Sequence, residues 1–272
     1  MRLSRLFVDS PLVVGQEIVR SQESAHYLLN VLRLRVGAPV ILFNGQGGEY
    51  VACLVAAAKK QAILQVNEFH AIECESDLPL TLVQAISRPE HFNYTLQKAV
   101  ELGVQRIVPV ITERSPPLDK TKISKREQHW RKIIVSACEQ CGRNRLPELH
   151  EVLPLTVWLG QPLVGYCLVL SPTGKSRWHQ VFEAKTDAIG LSNCLDEQKT
   201  DTLSIHESIV NKDNSNSVTL LIGAEGGLSE TEIESAIQAG YLDIRLGPRI
   251  LRTETAAVAM LAVCQAWWGD FY

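Results

Sequence analysis

Residues 218–232 constrain the fold more than any other stretch of the chain. They read Val-Thr-Leu-Leu-Ile, then Gly-Ala-Glu-Gly-Gly, then Leu-Ser-Glu-Thr-Glu. An uncharged apolar run of five is what a strand buried on both faces requires. A glycine-rich loop follows, and Ser229 with Glu232 then forms the reciprocal cap of a helix start. Strand, tight loop and helix make half of a parallel sheet covered by helices. The pattern recurs upstream. Residues 80–86 read as a strand and 90–102 as a helix, with Gly103 where a helix-ending glycine belongs. Residues 106–111 are the next strand, which completes a βαβ unit. A helix over 124–141 carries Trp130, Ile133, Ile134, Ala137, Cys138 and Cys141 on one stripe. Strands over 163–170 and 242–246 and a helix over 254–268 complete an α/β domain over 78–272.

The first 72 residues differ. Apolar runs over 39–43, 49–56 and 62–66 flank Asn44-Gly45-Gln46-Gly47-Gly48, and Asn-Gly between such runs is a hairpin signal. One short helix is expected over 23–32. Few short strands close most simply as a small β-barrel. Residues 183–217 break the order of the second domain. They hold seven acidic and three basic residues and read as a surface insertion.

Several function classes fall away. No run approaches the roughly 20 apolar residues of a membrane helix, and no signal peptide is read at the start. Seven cysteines without a secreted spacing fit a reduced, cytoplasmic setting. Cys138-x-x-Cys141 lies mid-helix on the apolar stripe, with no second pair to complete a zinc site; no metal is expected. Hydrolase signatures are missing.

Two loops carry the candidate chemistry. Gly223 to Gly227 follows a strand end, where parallel sheets bind ligands. Its spacing fits neither the dinucleotide fingerprint nor the nucleoside-triphosphate loop, and alone it fits a ligand-free turn equally well. The second loop, Leu246-Gly-Pro-Arg-Ile-Leu-Arg252, also runs from strand to helix, with Thr253 as the expected N-cap. Two such loops at one sheet edge favour a pocket. Between Arg114 and Arg145 nine Lys/Arg stand against three Asp/Glu, a local excess of 9 − 3 = 6 in a chain whose net charge is −3. Arg2, Arg5, Arg33 and Arg35 add a smaller set. Such clustering suits a phosphate backbone. The last helix is apolar nearly all round from Ala256 onward, which predicts a second packing partner; Met260 is expected on its outward face, and Gln265 is the first polar side chain after Ala256.

These motifs resemble the SPOUT class of RNA methyltransferases. Gly-Ala-Glu-Gly-Gly with its capping box and Leu-Gly-Pro-Arg-Ile-Leu-Arg-Thr-Glu-Thr-Ala are similar to the two C-terminal signatures of the members that methylate N3 of a uridine in 16S ribosomal RNA. Residues 26–33 and the 45–48 turn resemble those enzymes' N-terminal PUA-like domain. Residues 98–104 and 139–143 resemble two further segments. The resemblance implies a parallel sheet with a deep trefoil knot, a PUA-like RNA-binding barrel over 1–72, and a homodimer paired through the C-terminal domain. It implies S-adenosylmethionine as cofactor, held by Leu170, Ser171, Gly223, Glu225, Gly226, Leu246, Gly247, Ile250 and Leu251. The implied partner is 16S ribosomal RNA in the small ribosomal subunit. Arg252 and Glu225 are the catalytic candidates, and Arg5, Arg33, Arg88, Arg143 and Arg249 the RNA contacts. Ala224 stands where the family usually has proline. Other readings are a SPOUT enzyme acting on another RNA nucleotide, such as a ribose hydroxyl, and a non-catalytic RNA-binding protein.

Overall fold

The structure, a computed structural model, describes residues 3–20, 25–58, 61–179, 181 and 216–271. The chain divides into two compact units. The first is 1–75 with 134–146, and the second is 76–133 with 147–272. A cut near 72–78 is thus joined by a 13-residue return, 134–146, that clusters with the first unit.

The first unit holds β1 (Arg5–Phe7), β2 (Glu17–Arg20), β3 (Pro39–Phe43), β4 (Glu49–Ala58) and β5 (Gln61–His70), in sheet order β1-β3-β4-β5-β2. β1 runs parallel to β3; the other pairs are antiparallel. The sheet curls, because Arg20 on one edge strand donates to the Phe7 carbonyl of the other at 3.4 Å. Val40, Leu42, Ala52, Leu54, Ala62, Leu64 and Val66 alternate inward as a period-two pattern demands, and Leu28 joins them. Leu28 belongs to a π-helical turn, Tyr27–Val31, within the short helix expected over 23–32; residues 23–24 of that expectation lie outside the described residues.

Seven strands of the second unit form a parallel sheet of order β11-β13-β10-β12-β6-β7-β8. They are β6 (Leu80–Ala85), β7 (Arg106–Ile111), β8 (Glu148–Leu149), β10 (Tyr166–Leu170), β11 (Ser176–Arg177), β12 (Val218–Ile222) and β13 (Leu242–Arg245); β9 (Leu153–Pro154) pairs with β7. Its helices are α1 (Pro89–Glu101), α2 (Ile123–Cys141), α3 (Leu155–Leu159), α4 (Glu230–Gln238) and α5 (Thr253–Trp268), α2 continuing into the first unit from Ile134. Every residue of β12 is buried, because it lies between β10 and β6 with helices on the sheet's faces. β6, β7 and β8 lie to one side of β12, and β10, β13 and β11 to the other. The chain reverses direction of advance across β12, and ligands bind outside the carboxyl ends of strands at such a point.

Local chemistry accounts for the helices. Ser229 accepts from the Glu232 amide at 3.2 Å, and the Glu232 carboxylate accepts from the Ser229 amide at 2.9 Å, so the capping box forms. Gly103 ends α1 at φ +78, and a Cβ there would lie 2.6 Å from Gln265 Nε2, so both backbone and packing demand glycine. The α2 stripe is buried: Trp130 stacks on Phe92 with ring centroids 4.6 Å apart, and Ala137 and Cys138 pack in the first unit. Burial pushes the Cys138 thiol up to about 12, far from the range of a reactive thiolate.

The last helix corrects three expectations. Thr253 is the first residue of α5 and Arg252 its N-cap, with no side-chain cap bond. Met260 is fully buried, because it lies on the inward stripe with Ala257, Leu261 and Cys264. Gln265 shows no polar side to solvent. It is 1% exposed, accepts from Ser76 Oγ at 2.8 Å and donates to the Leu102 carbonyl at 2.8 Å. The outward stripe is instead Thr255, Ala259, Ala262 and Ala266. Among the described residues no helix is long and apolar enough to cross a membrane. The polar insertion expected over 183–217 lies outside the described residues except at 216–217. The expected knot depends on the chain's course there.

Candidate active site

The carboxyl ends of β10, β12 and β13 open into a cavity of about 370 Å³, within the range of small-ligand sites. Three loops wall it: the turn after Leu170, the glycine loop after Ile222 and the segment from Leu246 to Leu251. Leu170, Ser171, Gly223, Glu225, Gly226, Leu246, Gly247, Ile250 and Leu251 all line it, as does Arg249.

The glycine loop is held by its own turn and by three partners around it. Its own turn closes by the Gly227 amide donating to the Ala224 carbonyl at 2.9 Å. From the loop after β7, Arg114 Nη1 donates to the carbonyls of Gly226 at 2.6 Å and Leu228 at 3.2 Å. From the start of α1, the Arg88 amide donates to Glu225 Oε1 at 2.8 Å. Beneath the loop, Thr253 Oγ1 donates to the Gly223 carbonyl at 2.6 Å. A Cβ on Gly223 would lie 2.5 Å from the Gly227 carbonyl carbon and 2.7 Å from the Leu228 nitrogen, so no other residue fits that backbone.

The turn after β10 is self-supporting. The Ser171 amide donates to the Ile244 carbonyl at 3.1 Å, and its hydroxyl accepts from the Thr173 amide at 3.1 Å. Ser171 is therefore buried beneath its turn. Ile250 is its opposite, an apolar side chain 84% exposed at the cavity rim.

Several expected contacts stand elsewhere. Arg252 is exposed at the N-cap of α5 and is not part of the cavity wall. Arg88 and Arg33 are exposed, Arg33 with φ +53. Arg5 and Arg143 are not surface cations. Arg5 pairs with Glu49 and donates to Asn144 Oδ1, its side chain 8% exposed. Arg143, 4% exposed, holds the Glu75 carboxylate through Nε at 3.0 Å and Nη2 at 2.5 Å. Both are spent inside the first unit, and a phosphate would have to displace a half-buried carboxylate to reach them. Glu139 belongs to the same packing, accepting from the Phe7 amide at 3.0 Å, and burial raises its carboxyl above the usual range. On α2, Lys125, Arg131 and Lys132 do face solvent.

Sequence reasoning missed Arg114 as a loop clamp, having counted it among phosphate contacts. It also missed Gln84, fully buried at the end of β6. A glutamine inside the otherwise apolar run 80–86 was the available signal. Among the described residues no group of three or more His, Cys, Asp or Glu could hold a metal ion.

Comparison with known proteins bears on this geometry. A family model described as an RNA methyltransferase domain matches residues 74–265, and one described as an RNA methyltransferase PUA domain matches 21–67. The ribosomal RNA small subunit methyltransferase E of Buchnera aphidicola from Schizaphis graminum is 32% identical over 99% of this chain and 98% of its own. A methyltransferase from Legionella pneumophila, solved with bound S-adenosylmethionine, is 34% identical with TM-score 0.83, covering 100% of both chains. The ribosomal RNA small subunit methyltransferase E from Neisseria gonorrhoeae, also solved with that cofactor, is 32% identical with TM-score 0.81, again over 100% of both.

Proposed function

The chain belongs to the RNA methyltransferase family, and from that membership we propose that it methylates N3 of a uridine in 16S ribosomal RNA of the small subunit. The observation that carries this reading is the cavity at the ends of β10, β12 and β13, walled by the nine residues named for the cofactor. Its apolar rim and backbone-rich loops fit S-adenosylmethionine, which supplies a methyl group activated on a sulfonium.

The rest of the chemistry falls to the chain. N3 of uracil is weakly acidic and attacks a methyl only after losing its proton, so the protein must orient the base and favour the anion. Arg249 at the cavity wall and Arg252 beside it supply cations for the uracil oxygens as charge develops. Glu225 keeps one carboxylate oxygen on the Arg88 amide, which gives it a loop-holding role; Glu225 and Glu230 are the two carboxylates of the cavity lining, both exposed. In the first unit, Arg33, Arg35 and Arg145 are exposed and are among the cations there that can reach phosphate. Arg88 in the second unit is likewise exposed. Six described cysteines are free, which accords with work in the reducing cytoplasm.

The direct test offers small-subunit particles lacking the modification and labelled cofactor. One labelled 3-methyluridine per particle is the expected product, with calorimetry giving one cofactor site per chain. Label on a ribose, or none with cofactor still bound, overturns the base assignment.

We also propose a homodimer through α5. Its outward stripe, Thr255, Ala259, Ala262 and Ala266, is uncharged, and Trp267 beyond it is 45% exposed. Isologous pairing makes such a stripe self-complementary. Ala262→Glu is expected to give a sedimenting monomer that has lost transfer; a wild-type monomer with full transfer refutes the pairing.

A further inference from the structure

We propose that Gln84 and Thr253 are positioning residues that lock the two cavity loops to each other. The inference rests on the cofactor reading above. The glycine loop and the segment before α5 are separate in sequence, divided by α4 and β13. One buried carbonyl joins them. Gly223 O accepts from Thr253 Oγ1 at 2.6 Å and from Gln84 Nε2 at 3.3 Å. Gln84 Nε2 shares its two protons among that carbonyl, Thr253 Oγ1 at 3.0 Å and the Ala85 carbonyl at 3.2 Å. The Thr253 hydroxyl thus gives its one proton to Gly223 and takes one from Gln84, a closed arrangement with defined direction.

Burial sharpens the argument. Gln84 is 0% exposed and Thr253 5%, so water does not compete for these bonds. Gln84 Oε1 has no hydrogen-bond partner among the described residues. An unmade bond of a buried oxygen is costly, and a leucine would pack in β6 without that cost. The amide cannot simply turn over, because Oε1 would then face the Gly223 and Ala85 carbonyls, two acceptors. Its Nε2 is fixed toward the loops.

The consequence is a coupling. Thr253 is the first residue of α5 and follows Arg249, Ile250, Leu251 and Arg252 directly. Whatever fixes its hydroxyl on Gly223 fixes where that segment meets the glycine loop. Both walls of the cavity then hold one spacing before any ligand arrives, and the ordering cost of binding falls accordingly.

The test is calorimetry with S-adenosylmethionine on the full chain, well below its melting range. Thr253→Val keeps shape and removes the hydroxyl; it is expected to weaken binding about tenfold or more, roughly 1.4 kcal/mol per tenfold. Thr253→Ser restores the hydroxyl and is expected to bind within about twofold of wild type, on that same scale. Gln84→Met is expected to weaken binding too, and the double variant Gln84→Met with Thr253→Val to bind no worse than the weaker single, because both act through one carbonyl. If the singles lower the melting temperature but leave affinity unchanged, or if their effects add in full, the lock is refuted. A wild-type chain that fails to bind would instead overturn the cofactor reading itself.

Discussion

Gly223→Ala is expected to weaken cofactor binding severely, and methyl transfer with it, while leaving a folded chain. The added Cβ would meet the backbone of Gly227 and Leu228 at 2.5–2.9 Å, and backbone has no rotamer to yield. The loop must open, which pulls the Gly223 carbonyl from Thr253 and the cavity wall from its place. A displacement costing about 3 kcal/mol corresponds to roughly a hundredfold in affinity. Gly226 is the control. A Cβ there meets only the side chain of Arg114, at 3.1 Å or more, and that flexible chain can shift. Gly226→Ala should therefore bind far better than Gly223→Ala. Circular dichroism and a melting curve establish folding; binding of Gly223→Ala at wild-type strength would sink the idea that this loop frames the ligand.

The second large effect concerns Arg143. Its Nε and Nη2 hold the Glu75 carboxylate, with side chains 4% and 14% exposed. Arg143→Leu leaves that half-buried carboxylate without its cation, which costs up to about 3–5 kcal/mol, the figure for a fully buried pair. For a unit of this size roughly 4–8 °C of melting temperature goes with each kcal/mol, so the first unit should melt well before the wild type does. Replacing both partners, Arg143→Leu with Glu75→Leu, should recover much of the loss, because no lone charge then remains. Were Arg143 an RNA contact, the single variant would melt normally and bind RNA more weakly. That pattern would reinstate the surface role.

The two variants mark what the sequence makes legible. The second unit was readable because its signals are local: an apolar run, a capping box, a glycine with positive φ. Strands and helices follow from such patterns without knowing what packs where, whereas the nine cavity residues follow from the family resemblance of the two loops. Arg143 and Arg5 show the limit. A cation in a basic stretch and a cation in a buried pair look alike in sequence, since the deciding carboxylates, Glu75 and Glu49, lie 68 and 44 residues away. Met260 and Gln265 fail for a related reason. On a helix apolar all round, periodicity does not mark an inward face, and only Ser76 and the Leu102 carbonyl reveal why a glutamine is buried. β1 and β2, three and four residues long, are too short to show a period at all.

The place of β12 bears on how the protein is made. It is the central strand of its sheet, yet 218 − 85 = 133 residues separate its start from the end of β6, its neighbour. Ribosomes add about 5–20 residues each second, so β6 waits on the order of ten seconds with one edge unpaired. Its waiting edge is apolar and uncharged, Leu-Thr-Leu-Val-Gln-Ala, the kind of template that neighbouring nascent chains pair with. Production of this protein should therefore be limited by translation speed and by chaperones that cover an open sheet, and slower synthesis through 86–217 should raise the aggregated share even though the finished fold is unchanged.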